Sequence, residues 1–143
     1  MIEKVILLVE DNPDDEMLTL RALEKNNIEN RVVVARDGAE ALSLIFNQTE
    51  TGLSPSLVLL DLRLPKLDGL EVLSRLRSDP RTKLVPIVVF TSSDEEQDIL
   101  RSYTLGATSY IRKPIDFNQY SEAIRLAATY WLRLNIPPPA VTV

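Results

Sequence analysis

The chain has 143 residues, four glycines, nine prolines, no histidine and no cysteine, with a formal net charge of −5. That length suits one domain able to bury roughly two-thirds of its unfolded surface without a disulfide or zinc staple. Disulfides, thiolate and imidazole catalysis and histidine–zinc sites are excluded, and the acidic balance is a poor footprint for duplex DNA, so no nucleic acid partner is expected.

The first apolar run is Val5-Ile6-Leu7-Leu8-Val9. No small-residue cleavage site precedes it, and neither it nor Leu57 to Leu60 approaches the ~20 residues that span a bilayer. No membrane partner and a cytoplasmic location are therefore expected. Asn12 then caps a helix that Pro13 opens, with Leu20 and Leu23 on its inner face. Val32 to Ala35 is a second run, and Asp37 caps a helix on which Ala39, Leu42, Ile45 and Phe46 share a face. Leu57 to Leu60 is the third run. The third helix runs from about Gly69 through Leu70, Leu73 and Leu76. Pro86 to Phe90 is the fourth run. It leads to a helix predicted to begin near Ser93, with Asp94, Glu95 and Glu96 in its first turn and Gly106 beyond its end. Ser109-Tyr110-Ile111 is the fifth run. The last helix starts at Asp116 and carries Phe117, Tyr120, Ile124, Ala127 and Trp131 at spacings of three and four. Residues 1–132 are read as one domain and 133–143 as a proline-rich tail in extended polyproline II form.

The runs are short, β-branched and largely without period-2 alternation, as in strands covered on both faces. Strand–helix alternation five times over predicts an α/β (βα)5 chain, with right-handed crossovers placing helices on both sides of an open, doubly wound parallel sheet.

Ligands bind such sheets beyond the carboxyl ends of the strands. There stand Glu10-Asp11 after strand 1, Asp61 after strand 3, Thr91-Ser92 after strand 4 and Lys113-Pro114 after strand 5. Taken singly, these are a helix cap, a strand stop, a turn hydroxyl pair and an exposed lysine. Their joint placement at one edge points instead to a site. Crowded carboxylates repel unless positive charge sits among them. Lys113 supplies one charge, and Mg2+ or Mn2+ would supply more through hard oxygen ligands. Asp11 and Asp61 fit as direct ligands with a main-chain carbonyl just after Asp61, that of Arg63, as a third, and Glu10 acting through water. Thr91, the Ser92 amide and Lys113 could bind phosphoryl oxygens, with Asp61 as the nucleophile that forms an aspartyl phosphate.

Val9-Glu10-Asp11-Asn12-Pro13, the stretch Leu59 to Gly69 around Asp61, Val89 to Ser93, Gly106-Ala107 and Tyr110 to Ile115 together resemble the receiver domains of two-component response regulators. The resemblance covers about residues 4 to 130. It implies a flavodoxin-like five-stranded parallel sheet in the order 2-1-3-4-5 and Asp61 as phosphoacceptor. It also implies an acidic pocket of Glu10, Asp11 and Asp61, Thr91 as switch hydroxyl, Lys113 as phosphate-binding lysine and Tyr110 as aromatic switch. A cis Lys113–Pro114 bond is a further implication. Glu10 stands where many receivers have Asp. Arg63 and Ser93 occupy positions at which the family tunes phosphate lifetime. The segments Asn47 to Ser56, Ser78 to Leu84 and Tyr130 to Pro139 look like those of single-domain regulators that partner cyanobacterial bacteriophytochromes.

The expected activity is phosphoryl acceptance from a sensor histidine kinase, phytochrome-like by this resemblance, with only self-phosphotransfer and autodephosphorylation as catalysis. The donor histidine arrives in trans, in keeping with its absence here. About thirteen residues follow Tyr130, too few for a DNA-binding module, so output is expected as a protein contact. A homodimer is expected through the face of helix 4, strand 5 and helix 5, with Phe117, Tyr120 and Trp131 as interface residues; the core face of helix 5 is the competing reading of the same stripe. Haloacid-dehalogenase-like phosphatases also use an aspartyl phosphate, but they need a second aspartate where this chain has Arg63. An unphosphorylated pseudo-receiver acting as a binding module is the alternative function.

Overall fold

Strands and helices alternate in the computed structural model, which describes residues 4–47 and 53–139. They are β1 (Ile6–Val9), α1 (Pro13–Lys25), β2 (Val32–Ala35), α2 (Gly38–Phe46), β3 (Leu57–Leu60), α3 (Gly69–Ser78), β4 (Ile87–Thr91), α4 (Glu96–Thr104), β5 (Ser109–Arg112) and α5 (Phe117–Thr129), which runs on into a π-helical turn, Tyr130–Leu134. Every strand pair is parallel, and the sheet order is β2-β1-β3-β4-β5. The order reverses between β1 and β3, where a crevice opens at the strands' carboxyl ends.

The central strands are buried along their whole length because successive side chains feed two different cores. Ile6 and Leu8 join Leu57, Leu59, Val88 and Phe90 beneath Ala22 and Leu23 of α1 and Ile124 and Ala128 of α5. Leu7 and Val9 join Val58, Leu60 and Ile87 against Ala41 and Ile45 of α2 and Val72, Leu73 and Leu76 of α3. Each fully buried aliphatic side chain contributes about 1.5–3 kcal/mol. On α2 the inner face differs from that expected: Ala41 is buried and Ala39 exposed, because the helix turns Ile45 and Ala41, one turn apart, toward the sheet.

Helix starts follow side-chain chemistry. Asn12, Asp37, Asp68 and Asp116 each accept backbone N–H bonds as N-caps of α1, α2, α3 and α5. The fourth helix starts at Glu96, three residues later than the predicted Ser93. The Ser93 hydroxyl accepts from the Glu95 amide and donates to Asp98, a local loop that delays the helix. At the other end, Gly106 has φ +103°. Ala107 N–H donates to Ser102 O and Gly106 N–H to Tyr103 O, a Schellman closure that favours glycine.

The α5 stripe faces inward. Tyr120 is 2% exposed, meets Phe90 edge-on at 5.0 Å and shares a 2.8 Å hydrogen bond with Thr19. Phe117 is half-buried with Lys25 Nζ 5.6 Å from its ring centre, and Trp131 packs partly buried against the same core. Tyr120 is thus corrected as an expected interface residue: α1 covers this side of α5, so Tyr120 offers no surface to a second chain, whereas Phe117 and Trp131 stay half-buried. Leu132 is buried, and its carbonyl accepts from Lys4 Nζ at 2.6 Å. Ile136 to Pro139 are exposed. Residues 48–52 of the Asn47 to Ser56 segment and residues 140–143 of the tail lie outside the described residues.

Candidate functional site

The strand register brings the predicted groups to one edge. Asp61 follows β3 directly, and its amide donates to Val9 O at 3.0 Å, so it sits beside Glu10 at the end of β1. Lys113 N donates to Thr91 O at 2.7 Å, which continues the β4–β5 ladder one residue beyond β5. The Lys113–Pro114 bond is trans, as is every peptide bond among the described residues, so the expected cis bond is corrected. Ladder pairing alone delivers the lysine to the pocket.

Lys113 Nζ lies 2.6 Å from Glu10 Oε1, 2.8 Å from Asp15 Oδ2 and 2.9 Å from Asp61 Oδ2. Thr91 Oγ1 donates to Asp61 Oδ1 at 2.8 Å, and the Arg63 amide donates to the same oxygen at 3.2 Å. Glu10, Asp61, Thr91 and Lys113 are all buried, at 2%, 7%, 0% and 8% exposure, so their charges act on one another with little solvent screening. Asp11 is exposed beside them. Glu10, Asp11 and Asp61 each offer a carboxylate oxygen within 4.8 Å of the others. Ser92 is exposed next to Thr91, and Tyr110 is half-buried, its hydroxyl donating to Ser93 O at 2.8 Å.

The carboxylates differ electrostatically. Burial pushes the Glu10 carboxyl up, to about 7, against the pull of Lys113. Burial also acts to raise Asp61, but the Lys113 charge and the bonds from Lys113, Thr91 and the Arg63 amide outweigh it and hold Asp61 below the ordinary range. Burial acts to lower Lys113, yet Asp15, Asp61 and Glu10 together raise it and keep it an ammonium. The site therefore holds an ionised, hydrogen-bonded Asp61 beside a Glu10 carboxyl that burial raises.

Asp15 joins the site without being among the residues singled out from the sequence. Asp15 is the third residue of α1, whose first turn opens at the strand-end edge, and that position is the signal that could have found it.

A family model, response regulator receiver domain, matches residues 6–125. The chain belongs to this family. The receiver is 41% identical over 135 residues to the probable methanogenesis regulatory protein FilR2 of Methanothrix harundinacea, covering 94% of this chain and 87% of that protein. It is 37% identical over 139 residues to response regulator Rcp1 of Synechocystis, covering 96% and 95%. The crystal structure of the phosphorylated cyanobacterial phytochrome response regulator RcpA superposes with a TM-score of 0.89 at 39% identity, covering 96% of this chain and 99% of that one. The Mn2+-bound form of Rcp1 superposes at 0.87 with 36% identity, covering 94% and 99%. The receiver is thus homologous to phytochrome response regulators over nearly their whole length, and its family is one of phosphoacceptors.

Proposed function

We propose that Asp61 accepts a phosphoryl group from a phosphohistidine of a phytochrome-like sensor kinase and that the modified chain signals by protein contacts. One observation carries this reading: a buried, ionised Asp61 is gripped by Lys113 and Thr91 beside two further carboxylates. In the transfer, the histidine N–P bond breaks as an Asp61 O–P bond forms, and the imidazole keeps the electron pair. Lys113 Nζ, already on Asp61 Oδ2, is placed to follow the added negative charge, and Thr91 and the Ser92 amide to donate to phosphoryl oxygens.

Glu10, Asp11 and Asp61 fit a hard divalent cation, Mg2+ or Mn2+, because all three donors are carboxylate oxygens at one edge; the Arg63 carbonyl is the main-chain ligand in this reading. When bound, such an ion supplies charge neutralisation for the phosphoryl oxygens. Self-phosphotransfer from small donors and autodephosphorylation would be the chain's only catalysis.

Thr91 leaves Asp61 Oδ1 for the phosphoryl group, and Tyr110 turns inward into the space it vacates. Output then runs through the α4–β5–α5 face. Exposed Leu100 and Tyr103 on α4, and Leu126, Tyr130 and Leu134 along α5 and its extension, support a homodimer, with half-buried Phe117 and Trp131 at its margin in place of buried Tyr120. Residues 1–132 act as the receiver and 133–143 as a tail contributing to that contact. Relatedness to RcpA and Rcp1 supports the phytochrome pathway. The net charge of −5 supports a role without nucleic acid. No helix among the described residues is long and apolar enough to cross a membrane, in keeping with a partnership in the cytoplasm.

The test is incubation with acetyl phosphate and Mg2+, then with phosphorylated candidate kinases, read by intact mass. One phosphoryl gained by the wild type and none by Asp61→Asn supports the reading. No labelling from any donor returns the chain to a pseudo-receiver. Light scattering at tens of micromolar that finds only monomer, modified or not, would remove the homodimer.

A further inference from the structure

Arg63 connects two places. Its amide donates to Asp61 Oδ1 at 3.2 Å, so the residue begins at the acceptor. Its guanidinium reaches across to α4, 3.1 Å from Asp98 Oδ2 and 3.8 Å from Glu95 Oε1. Asp98 is no loose surface partner: its side chain is 16% exposed, whereas that of Arg63 is 65% exposed. The same oxygen, Asp98 Oδ2, accepts from Ser93 Oγ at 2.6 Å, and the Ser93 carbonyl accepts from Tyr110 at 2.8 Å. A continuous polar chain thus runs from Asp61 through Arg63, Asp98 and Ser93 to Tyr110.

We propose that Asp98 is a positioning residue for phosphoryl acceptance: it holds the Arg63 guanidinium on α4 while Asp61 is unmodified, and loses it to the phosphoryl group once Asp61 is modified. This rests on the reading of Asp61 as phosphoacceptor. Phosphorylation brings a charge of roughly −2 to a side chain two residues from Arg63. A guanidinium pairs with phosphoryl oxygens through two parallel bonds, more favourably than with one carboxylate oxygen. The two anions compete for one cation. A modification shifts a conformational equilibrium only as far as it interacts differently with the two states, and the exchange of Arg63 supplies such a difference. Asp98 loses its cross-loop partner but keeps the first turn of α4, where the helix dipole tolerates its charge. The loop after β3 is then uncoupled from α4, and the Ser93 segment that holds the Tyr110 hydroxyl loses its tether to that loop.

The experiment titrates beryllofluoride, a phosphoryl mimic, in saturating Mg2+ against the full chain, with binding followed by 19F NMR. The chains compared are wild type, Asp61→Asn, Asp98→Asn, Asp98→Glu, Arg63→Gln and the Arg63→Gln/Asp98→Asn double variant, each checked for a cooperative melt. Removing the competing carboxylate should let Asp98→Asn half-saturate at about twofold to fivefold lower beryllofluoride, the range of a largely solvent-exposed charged pair. Asp98→Glu, which keeps the charge, should match wild type. In the Arg63→Gln background the Asp98→Asn gain should vanish, which a merely structural loosening of α4 would not produce. An unchanged or weakened Asp98→Asn, or a gain that persists without Arg63, overturns the proposal alone. Failure of the wild type to bind, with Asp61→Asn alike, overturns the phosphoacceptor reading and this proposal together.

Discussion

At the scale of single residues, Lys113 carries more than one duty. It satisfies three carboxylates at once, two of them buried. Lys113→Met would keep the stem and remove the charge, leaving Asp61 and Glu10 desolvated without a counter-ion. Glu10, already up at about 7, can take a proton and soften the loss. The expected cost is therefore about 1–3 kcal/mol, the penalty of an unsatisfied buried group, rather than that of a bare buried charge. Urea unfolding at neutral pH measures it, and an unchanged midpoint would contradict the account. The same substitution should abolish labelling by acetyl phosphate. A second residue, Tyr120, joins α5 to α1 through Thr19. Tyr120→Phe leaves the Thr19 hydroxyl buried with one partner fewer and should cost about 1–2 kcal/mol, seen as a lowered melting temperature with labelling of Asp61 intact. Neither pairing could be read from residue types. Position along a strand says which edge a side chain reaches, but not which atom it meets there. Asp61, Thr91 and Lys113 were legible because each ends a strand, whereas Asp98 reaches its partners from the flank of a helix and ends nothing.

At the scale of elements, the crevice depends on how closely α3 approaches the end of β3. Gly69 makes that approach possible. A Cβ there would stand 2.3 Å from Asp61 O and 2.6 Å from Leu62 Cα, both backbone atoms that cannot swing aside. Gly69→Ala should therefore push α3 away from the strand end and cost about 1–3 kcal/mol, as overpacking does. Because the crowded atom belongs to Asp61, the proposed acceptor, phosphorylation should slow as well. Comparing melting temperature with the labelling rate checks both, and a stable, normally labelled Gly69→Ala would show that the loop yields. The elements themselves were legible where one local signal dominated: Asn12, Asp37 and Asp116 cap where their positions predict. The start of α4 was not, since Ser93 spends its hydroxyl on Asp98 instead of capping. The π-helical turn after α5 was not legible either; its anchors are Leu132 in the core and the Lys4 bond to the Leu132 carbonyl, contacts between opposite ends of the chain.

For the molecule as a whole, the order β2-β1-β3-β4-β5 sends the ends of β1, β3, β4 and β5 to one edge, so a handful of strand-end residues sufficed to place the site. The electrostatic state of that edge depends on burial, which only the folded chain reveals. Glu10 rises from an ordinary 4.5 to about 7. A carboxyl raised on folding binds more protons in the native state, so its contribution to stability is full below the unfolded value and is lost as pH climbs through about 7. Asp61 is shifted the other way, so its contribution is lost as pH falls through its depressed value. A divalent cation at Glu10, Asp11 and Asp61 needs Glu10 ionised and must displace its proton below neutrality. Mg2+ should then bind more weakly by up to about tenfold for each pH unit below that point. The increase in melting temperature on adding a fixed Mg2+ concentration should accordingly be larger at pH 8 than at pH 6, following the logarithm of ligand over dissociation constant. Glu10→Gln removes the titrating group, so its Mg2+ response should be smaller and nearly flat over the same interval. A wild-type response as large at pH 6 as at pH 8 would mean that Glu10 does not gate the ion.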